Sequence, residues 1–185
     1  MLRSFQGKAP RLGKEVFVAE GAQVIGDVHL GDHASVWFNS VVRGDVGTIR
    51  IGARTNIQDL CVIHVTGGQF DTTLGDDVSV GHRAVMHGCT IRDAALIGIG
   101  AVLLDGCEIG EEAIVGAGAL VTPGTRIPPR VLALGSPAKV VRPLTGAEIA
   151  FRRQHAAQYV EYARTYREES QGAAGRSEEI AGGRW

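Results

Sequence analysis

The chain is short of aromatic residues and of paired cysteines, and each shortage excludes a class of protein. It holds only five Phe, three Tyr and two Trp among 185 residues, although 44% of it is hydrophobic, so a core must come mainly from Val, Ile, Leu and Ala. The three cysteines, Cys61, Cys89 and Cys107, are odd in number and lack a CxxC spacing. This argues against a disulfide framework or a thiolate metal site and favours small buried side chains.

The chain also lacks a charge imbalance and any long apolar run. Its 19 basic and 20 acidic residues give a formal net charge of -1, and no basic stripe indicates a nucleic-acid partner. No stretch approaches the roughly 18 apolar residues of a membrane span, and the first residues lack the apolar region of a signal peptide. We therefore expect a single-domain cytoplasmic protein with no nucleic-acid or membrane partner.

Glycine is the residue in excess: 26 residues, about twice the usual share of roughly 7%. A strict three-residue glycine period is absent, which excludes collagen. Instead, an aliphatic residue recurs every six positions, and a small residue often stands four positions after it. The longest unbroken series of aliphatic positions is Ile91, Ile97, Leu103, Ile109, Val115, Val121 and Ile127.

This hexapeptide period predicts an all-β solenoid, a parallel β-helix with three flat faces per coil. Eighteen hexads can be counted, which correspond to six coils, and the glycines are expected to turn the corners. The β-helix is predicted over residues 1–143. A C-terminal α-helix is predicted over 144–170, capped by Thr145 and Glu148, and residues 171–185 are expected to form a flexible tail.

The repeat is interrupted at 42–51, 63–74 and 86–91, and polar residues cluster there. Counting hexads places His64 and His87 on one face, one coil and about 4.8 Å apart. Arg43 falls one coil below His64 on that face. His82 lies around a corner of the prism, with Asp59 beneath it and Gln58 beside Asp59.

These three histidines suggest a metal site, but His82 is too far around the prism to join the stacked pair within one chain. Zinc holds nitrogen ligands about 2.0–2.1 Å away. Three prisms packed around a threefold axis would bring His82 of one subunit to His64 and His87 of the next. Two plainer interpretations stay open: Arg43 and Asp45 as a structural salt bridge, and Asn56, Gln58 and Asp59 as a turn ladder. His29, His33 and His155 are expected at ordinary positions.

The chain resembles the gamma-class carbonic anhydrases of the hexapeptide-repeat proteins. The resemblance covers roughly Val16 to Arg142 and rests on VVRGD at 41–45, TNIQD at 55–59, His64, GHxxxxH at 81–87 and the exit segment GSPAKVVR. It implies a left-handed β-helix and a homotrimer with metal sites between subunits. The implied metal ligands are His64, His82 and His87, the implied catalytic residues are Gln58, Arg43 and Asp45, and Asn56 and Asp59 are implied as supporting or interface residues.

The resemblance further implies Zn²⁺, with Fe²⁺ or Co²⁺ as other candidates, and hydration of CO2 to bicarbonate by a metal-bound hydroxide. The chain departs from the family in its acidic residues. Val46 follows Asp45 where the family's well-studied member has a glutamate, and Asp71 is the only acid in the loop after His64. We expect weak hydration activity or another proton shuttle.

Two other interpretations remain open. The first is a CoA-ester acyltransferase or thioesterase, because hexapeptide trimers often bind CoA between their prisms. The second is a metal-binding trimeric scaffold with little hydratase activity.

Overall fold

The computed structural model describes the backbone of residues 1–181 and the side chains of residues 1–152 and 154–170. It is a parallel β-solenoid of about seven turns followed by a single C-terminal helix, which confirms the predicted β-helix and helix. Short strands separated by tight turns form three faces around a narrow interior, as the hexapeptide period predicts.

Two faces of the solenoid are joined into one twelve-stranded sheet by the long strands β4 (Gln23–Leu30) and β6 (Val41–Ile51), each of which bends from one face to the next. Their twelve strands are β1 (Leu2–Arg3), β2 (Arg11–Leu12), β4 (Gln23–Leu30), β6 (Val41–Ile51), β8 (Val62–His64), β9 (Thr72–Leu74), β11 (Val85–His87), β12 (Thr90–Ile91), β14 (Val102–Leu103), β15 (Glu108–Ile109), β17 (Leu120–Val121) and β18 (Arg126–Ile127).

The third face is an eight-stranded sheet in which seven strands are parallel and the last is antiparallel. Its strands are β3 (Phe17–Val18), β5 (Ser35–Val36), β7 (Asn56–Ile57), β10 (Ser79–Val80), β13 (Leu96–Ile97), β16 (Ile114–Val115), β19 (Val131–Gly135) and β20 (Ala138–Pro143). The count of six coils was one short because three repeat positions were left out. Leu2 and Leu12 pair with Val24 and Leu30 in the coil above them, and Ala133, which is not a large aliphatic residue, continues the repeat above Val115.

The interior is a column of fully buried aliphatic side chains. Ile63, Met86 and Leu103, for example, stack in register on one face with no exposed surface. The three cysteines are free thiols buried in the same core, as expected from the sequence. Packing of this kind leaves little room for rings, which accounts for the scarcity of aromatic residues.

Glycine serves close packing between coils more than it serves the corners. Arg54, Leu60 and Arg83 adopt left-handed backbone angles at corners that were expected to need glycine. At Gly98, by contrast, an added Cβ would lie 2.4 Å from the backbone nitrogen of Ala117 in the next coil. The expectation that the glycines turn the corners therefore holds only in part, since glycines directly after the aliphatic position admit the neighbouring backbone.

Helix α1 spans Gly146–Ala181. It begins with the predicted capping box, because the Thr145 backbone N–H donates to Glu148 Oε2 at 2.9 Å and the Glu148 N–H donates to Thr145 Oγ1 at 3.3 Å. The helix continues beyond residue 170, where the sequence led us to expect a tail, because the Ala and Glu residues that follow favour helix. Residues 182–185 of that expected tail lie outside the described residues.

The helix packs on its own prism, against strands β3, β5, β7 and β10 of the third face. An aromatic cluster at this contact consists of Phe17, Trp37, Phe38, Tyr159 and Tyr166. Nearer the helix start, Ala156 is fully buried. Within the described part of the chain, no helix is long and apolar enough to cross a membrane.

Candidate metal centre

His64 and His87 stand side by side at the ends of adjacent strands. Strand β8 pairs with β11 in parallel, and the register places His64 directly opposite His87, as the hexad count predicts. The ring nitrogens His64 Nδ1 and His87 Nε2 are 3.1 Å apart. Both side chains remain partly exposed, at 18% and 33%, so a ligand can reach them from outside the prism.

The other ring nitrogen of each histidine contacts a carboxylate. His64 Nε2 lies 3.0 Å from Asp45 Oδ1, and His87 Nδ1 lies 2.6 Å from Asp105 Oδ1. Burial alone would raise the pKa of both carboxyls. Hydrogen bonds from Arg43 and His64 to Asp45, and from His87 and Thr66 to Asp105, outweigh burial and lower both pKa values. The two carboxylates are therefore ionised and accept hydrogen bonds from the histidine rings.

This arrangement fits a cation between the two rings. When each ring carries a single hydrogen and donates it to its carboxylate, from Nε2 of His64 and Nδ1 of His87, the two facing nitrogens both present lone pairs. Lone pairs 3.1 Å apart repel unless a proton or a metal ion lies between them. Two nitrogens bound at 2.0–2.1 Å in a tetrahedron would be separated by about 3.3 Å. The pair therefore suits tetrahedral zinc with little movement.

His82 lies on the third face and is not part of this pair. It follows strand β10, and its Nδ1 is 2.7 Å from Asp59 Oδ2, so Asp59 does sit against His82 as the register count predicts. Its Nε2 is thereby left for another ligand. Among the residues that the structure describes, no three His, Cys, Asp or Glu side chains of one chain are grouped to hold a metal. Within a single chain, His64 and His87 are therefore paired and His82 is separate from them.

The remaining predicted site residues divide between the two faces. Arg43 and Asp45 lie on β6, and Arg43 Nη1 donates to Asp45 Oδ2 at 2.5 Å. Gln58 and Asn56 lie at β7 on the third face, where Gln58 Nε2 donates to Asn56 Oδ1 at 3.1 Å. Gln58 and His82 line the same cavity of about 430 Å³, beside helix α1. Arg43 and Asp45 do form an ion pair, and Asp45 also contacts His64.

Three further polar residues belong to the site: Asp105 and Ser79, which the repeat pattern did not single out, and His155, which was expected at an ordinary position. Asp105 stands in the coil above His87, and the hexad count would have found it had the column been followed upward from Met86 to Leu103. Ser79 is paired with Asn56 in register, and His155 reaches Ser79 from the helix. No repeat count could have placed His155, because its position depends on how the helix packs.

Known proteins share both the repeat and most of the chain length. Residues 88–123 match the family model described as bacterial transferase hexapeptide (six repeats). The "Probable carbonic anhydrase" of Methanocaldococcus jannaschii is 54% identical over 154 residues, covering 83% of this chain and 96% of that protein. The "Gamma carbonic anhydrase 1, mitochondrial" of Arabidopsis thaliana is 47% identical over 88% of this chain, which spans only 61% of that relative's length.

A solved structure shows the same fold. The hexapeptide transferase family protein of Anaplasma phagocytophilum is 36% identical and superimposes with a TM-score of 0.86 over 90% of this chain and 98% of that one. The fold and the stacked histidines define a hexapeptide-repeat protein with a histidine-rich edge. Within that class, the relatives show that the chain belongs to the gamma-class carbonic anhydrase family.

Proposed function

We propose that the protein is a metal-dependent, gamma-class carbonic anhydrase-like enzyme that interconverts CO2 and bicarbonate. In this proposal three chains form a homotrimer, and each site takes His82 from one subunit and His64 and His87 from the next. The observation that carries it is the 3.1 Å approach of His64 Nδ1 and His87 Nε2, with each outer nitrogen on a carboxylate. Relatives named carbonic anhydrase support the choice of reaction.

Each proposed ligand has its own aspartate in the chain. Asp45 holds His64, Asp59 holds His82 and Asp105 holds His87, at 3.0, 2.7 and 2.6 Å. A carboxylate on the far nitrogen fixes the tautomer and the ring orientation of a metal-binding histidine. The aspartates therefore leave one nitrogen of each imidazole available for a metal ion, and those of His64 and His87 already face each other. Arg43 in turn fixes Asp45 through its short ion pair.

Zn²⁺ bound by three histidines would lower the pKa of water at its open position and supply hydroxide for addition to CO2. Fe²⁺ and Co²⁺ suit the same imidazole set. Gln58 lines the cavity beside His82 and offers an amide to orient the nucleophile or the substrate.

Proton export is the weak step of the proposed reaction. Val46 stands after Asp45 and is 52% exposed, so it offers no proton acceptor there. Asp71 already accepts the backbone N–H of Thr48 at 2.7 Å. We therefore propose modest turnover that depends on the concentration of external buffer.

His82→Ala tests the shared site directly. Removing one of three ligands should abolish bound metal and CO2 hydration, measured by elemental analysis and by stopped flow on metal-loaded protein. His29→Ala is the matched control, because His29 is exposed and its strand β4 pairs with β1, β2 and β6 rather than with the strands β8 and β11 that carry the paired histidines. Full metal occupancy in His82→Ala would refute the shared-site model. If the metal-loaded wild type hydrates CO2 no faster than buffer alone, the proposed carbonic anhydrase activity is refuted.

A second candidate is CoA-ester acyl transfer or hydrolysis, favoured by the match to the bacterial transferase hexapeptide model over residues 88–123. Such chemistry would use a histidine as general base and no metal. Titration with acetyl-CoA by calorimetry separates the two. Saturable binding by metal-free protein would support acyl chemistry, whereas metal retention without hydration or CoA binding would leave a metal-binding trimeric scaffold.

A further inference from the structure

A chain of hydrogen-bonded side chains connects helix α1 to the cavity that holds His82. His155 Nδ1 is 3.1 Å from Ser79 Oγ, Asn56 Nδ2 donates to Ser79 Oγ at 2.9 Å, and Gln58 Nε2 donates to Asn56 Oδ1 at 3.1 Å. Ser79, Asn56 and Gln58 are buried to 2%, 0% and 4% exposure. Buried polar groups in an otherwise aliphatic repeat cost free energy unless their partners are fixed, so their alignment has to be maintained.

The donors and acceptors along this chain set a direction. Asn56 Nδ2 also lies 3.5 Å from the carbonyl oxygen of Val78, which can only accept, so the amide nitrogen belongs on that side. Ser79 Oγ accepts from Asn56 and has its own proton left to donate. His155 Nδ1 is the acceptor within reach, provided that the imidazole is neutral.

Packing of the helix keeps His155 in that neutral form. Its ring stacks near Phe151 and Tyr159, with centroid separations of 5.8 and 5.1 Å. Burial lowers the pKa of His155. The imidazole is thus neutral near neutral pH, so Nδ1 accepts the hydrogen bond from Ser79 and Nε2 carries the ring hydrogen.

We infer that His155 is a positioning residue which, through Ser79 and Asn56, fixes the orientation of the Gln58 amide in the cavity beside His82. With Nε2 of Gln58 committed to Asn56, the carbonyl oxygen Oε1 is the end of the amide left to accept a hydrogen bond from a ligand. The effect of this orientation on catalysis rests on the proposed function. The orientation of Gln58 itself does not, because every hydrogen bond that fixes it lies within one polypeptide chain.

The test interrupts this series of hydrogen bonds at two residues. His155→Leu removes the acceptor at one end, and Ser79→Ala removes the link next to it. Each should lower kcat for CO2 hydration by about 10-fold, the lower end of what loss of an orienting partner costs, with KM and metal content unchanged. The double variant should be no worse than either single one, because both remove the same connection. His155→Asn, whose side-chain oxygen can accept where Nδ1 did, should restore activity.

Gln158→Ala is the matched control, since it changes an exposed side chain one turn from His155 that bonds Tyr162 and none of the residues in the series, and it should leave kcat unchanged. A readout independent of catalysis is the side-chain amide signal of Gln58 in ¹⁵N NMR, which should shift in His155→Leu and Ser79→Ala but not in Gln158→Ala. An unchanged Gln58 signal in both chain-breaking variants would overturn the inference. A shifted signal in protein whose wild type hydrates no CO2 would sustain the positioning role and refute only the proposed reaction.

Discussion

At the scale of single residues, the site is built from pairs of one histidine and one aspartate. The three candidate ligands lie on different strands or corners, yet each has a carboxylate within 3.0 Å of one ring nitrogen. The hexad count placed His64 beside His87 and His82 above Asp59, because residues at equal repeat positions must stack. It did not place Asp45 against His64, because that contact depends on how the long strand β6 bends at the interruption of the repeat.

Asp105→Asn is expected to weaken metal binding by about 10- to 100-fold, because Asp105 holds His87 through its Nδ1 and such outer partners contribute this much to affinity. The Asn side chain keeps the size but presents a neutral acceptor, or a donor, in place of the carboxylate. Competition with a chromogenic chelator measures the change.

Glu111→Gln provides the control for Asp105→Asn, since it removes one negative charge at an exposed position six residues further along the chain. Equal losses of affinity in the two variants would show that only net charge matters and would contradict the orienting role of Asp105.

At the scale of elements, the sequence predicts the positions of the strands far better than it predicts the roles of the glycines. Every hexad from Ile91 to Ile127 forms the short strand that its aliphatic residue predicts, because only an inward-facing residue at that position can fill the narrow core. The role of Gly98 was misjudged because a one-dimensional pattern shows which residue is small but not which backbone lies against it. The path of α1 was likewise beyond the repeat, since it depends on aromatic contacts with Trp37.

The capping box at the start of α1 should make the stability of the protein fall as the pH becomes acidic. Hydrogen bonds from Arg142, and then from Thr145, lower the pKa of Glu148 to about 2. A carboxyl whose pKa is lower in the folded state stabilises it above the unfolded pKa, and this contribution is lost as pH falls toward 2. Glu148→Gln should therefore melt below the wild type at pH 6, and the difference should vanish near pH 2.

Melting followed by circular dichroism at 222 nm across this pH range measures the effect of Glu148. Glu169→Gln, on the same helix but far from its first turn, is the control and should show no such convergence with the wild type. A constant difference between Glu148→Gln and the wild type from pH 6 to pH 2 would contradict the role of the capping carboxylate.

At the scale of the whole molecule, the three candidate metal ligands lie on two separate faces of the single chain, and apolar side chains near them are exposed. His82 lies one face away from His64 and His87, and large hydrophobic side chains near both parts are exposed: Leu60 to 55%, Val62 to 40% and Ile99 to 55%. Exposed apolar groups beside an incomplete polar site are typical of a surface that a second subunit covers. The proposed homotrimer would complete the site and bury these side chains together.

Ile99→Arg should therefore separate the subunits and, with them, the metal ligands. Ile99 lines the cavity that contains His82, and a buried unpaired charge at a subunit contact costs several kcal/mol. Analytical ultracentrifugation should find a monomer with native circular dichroism and no bound zinc, whereas Val140→Arg, at an exposed position on β20, should remain a trimer. Metal binding and assembly are linked in this proposal. Removing the metal from the wild type with a chelator should therefore weaken the trimer, so that it dissociates at a higher protein concentration. A zinc-loaded monomer, or a trimer indifferent to chelation, would show that the three histidines do not meet between subunits.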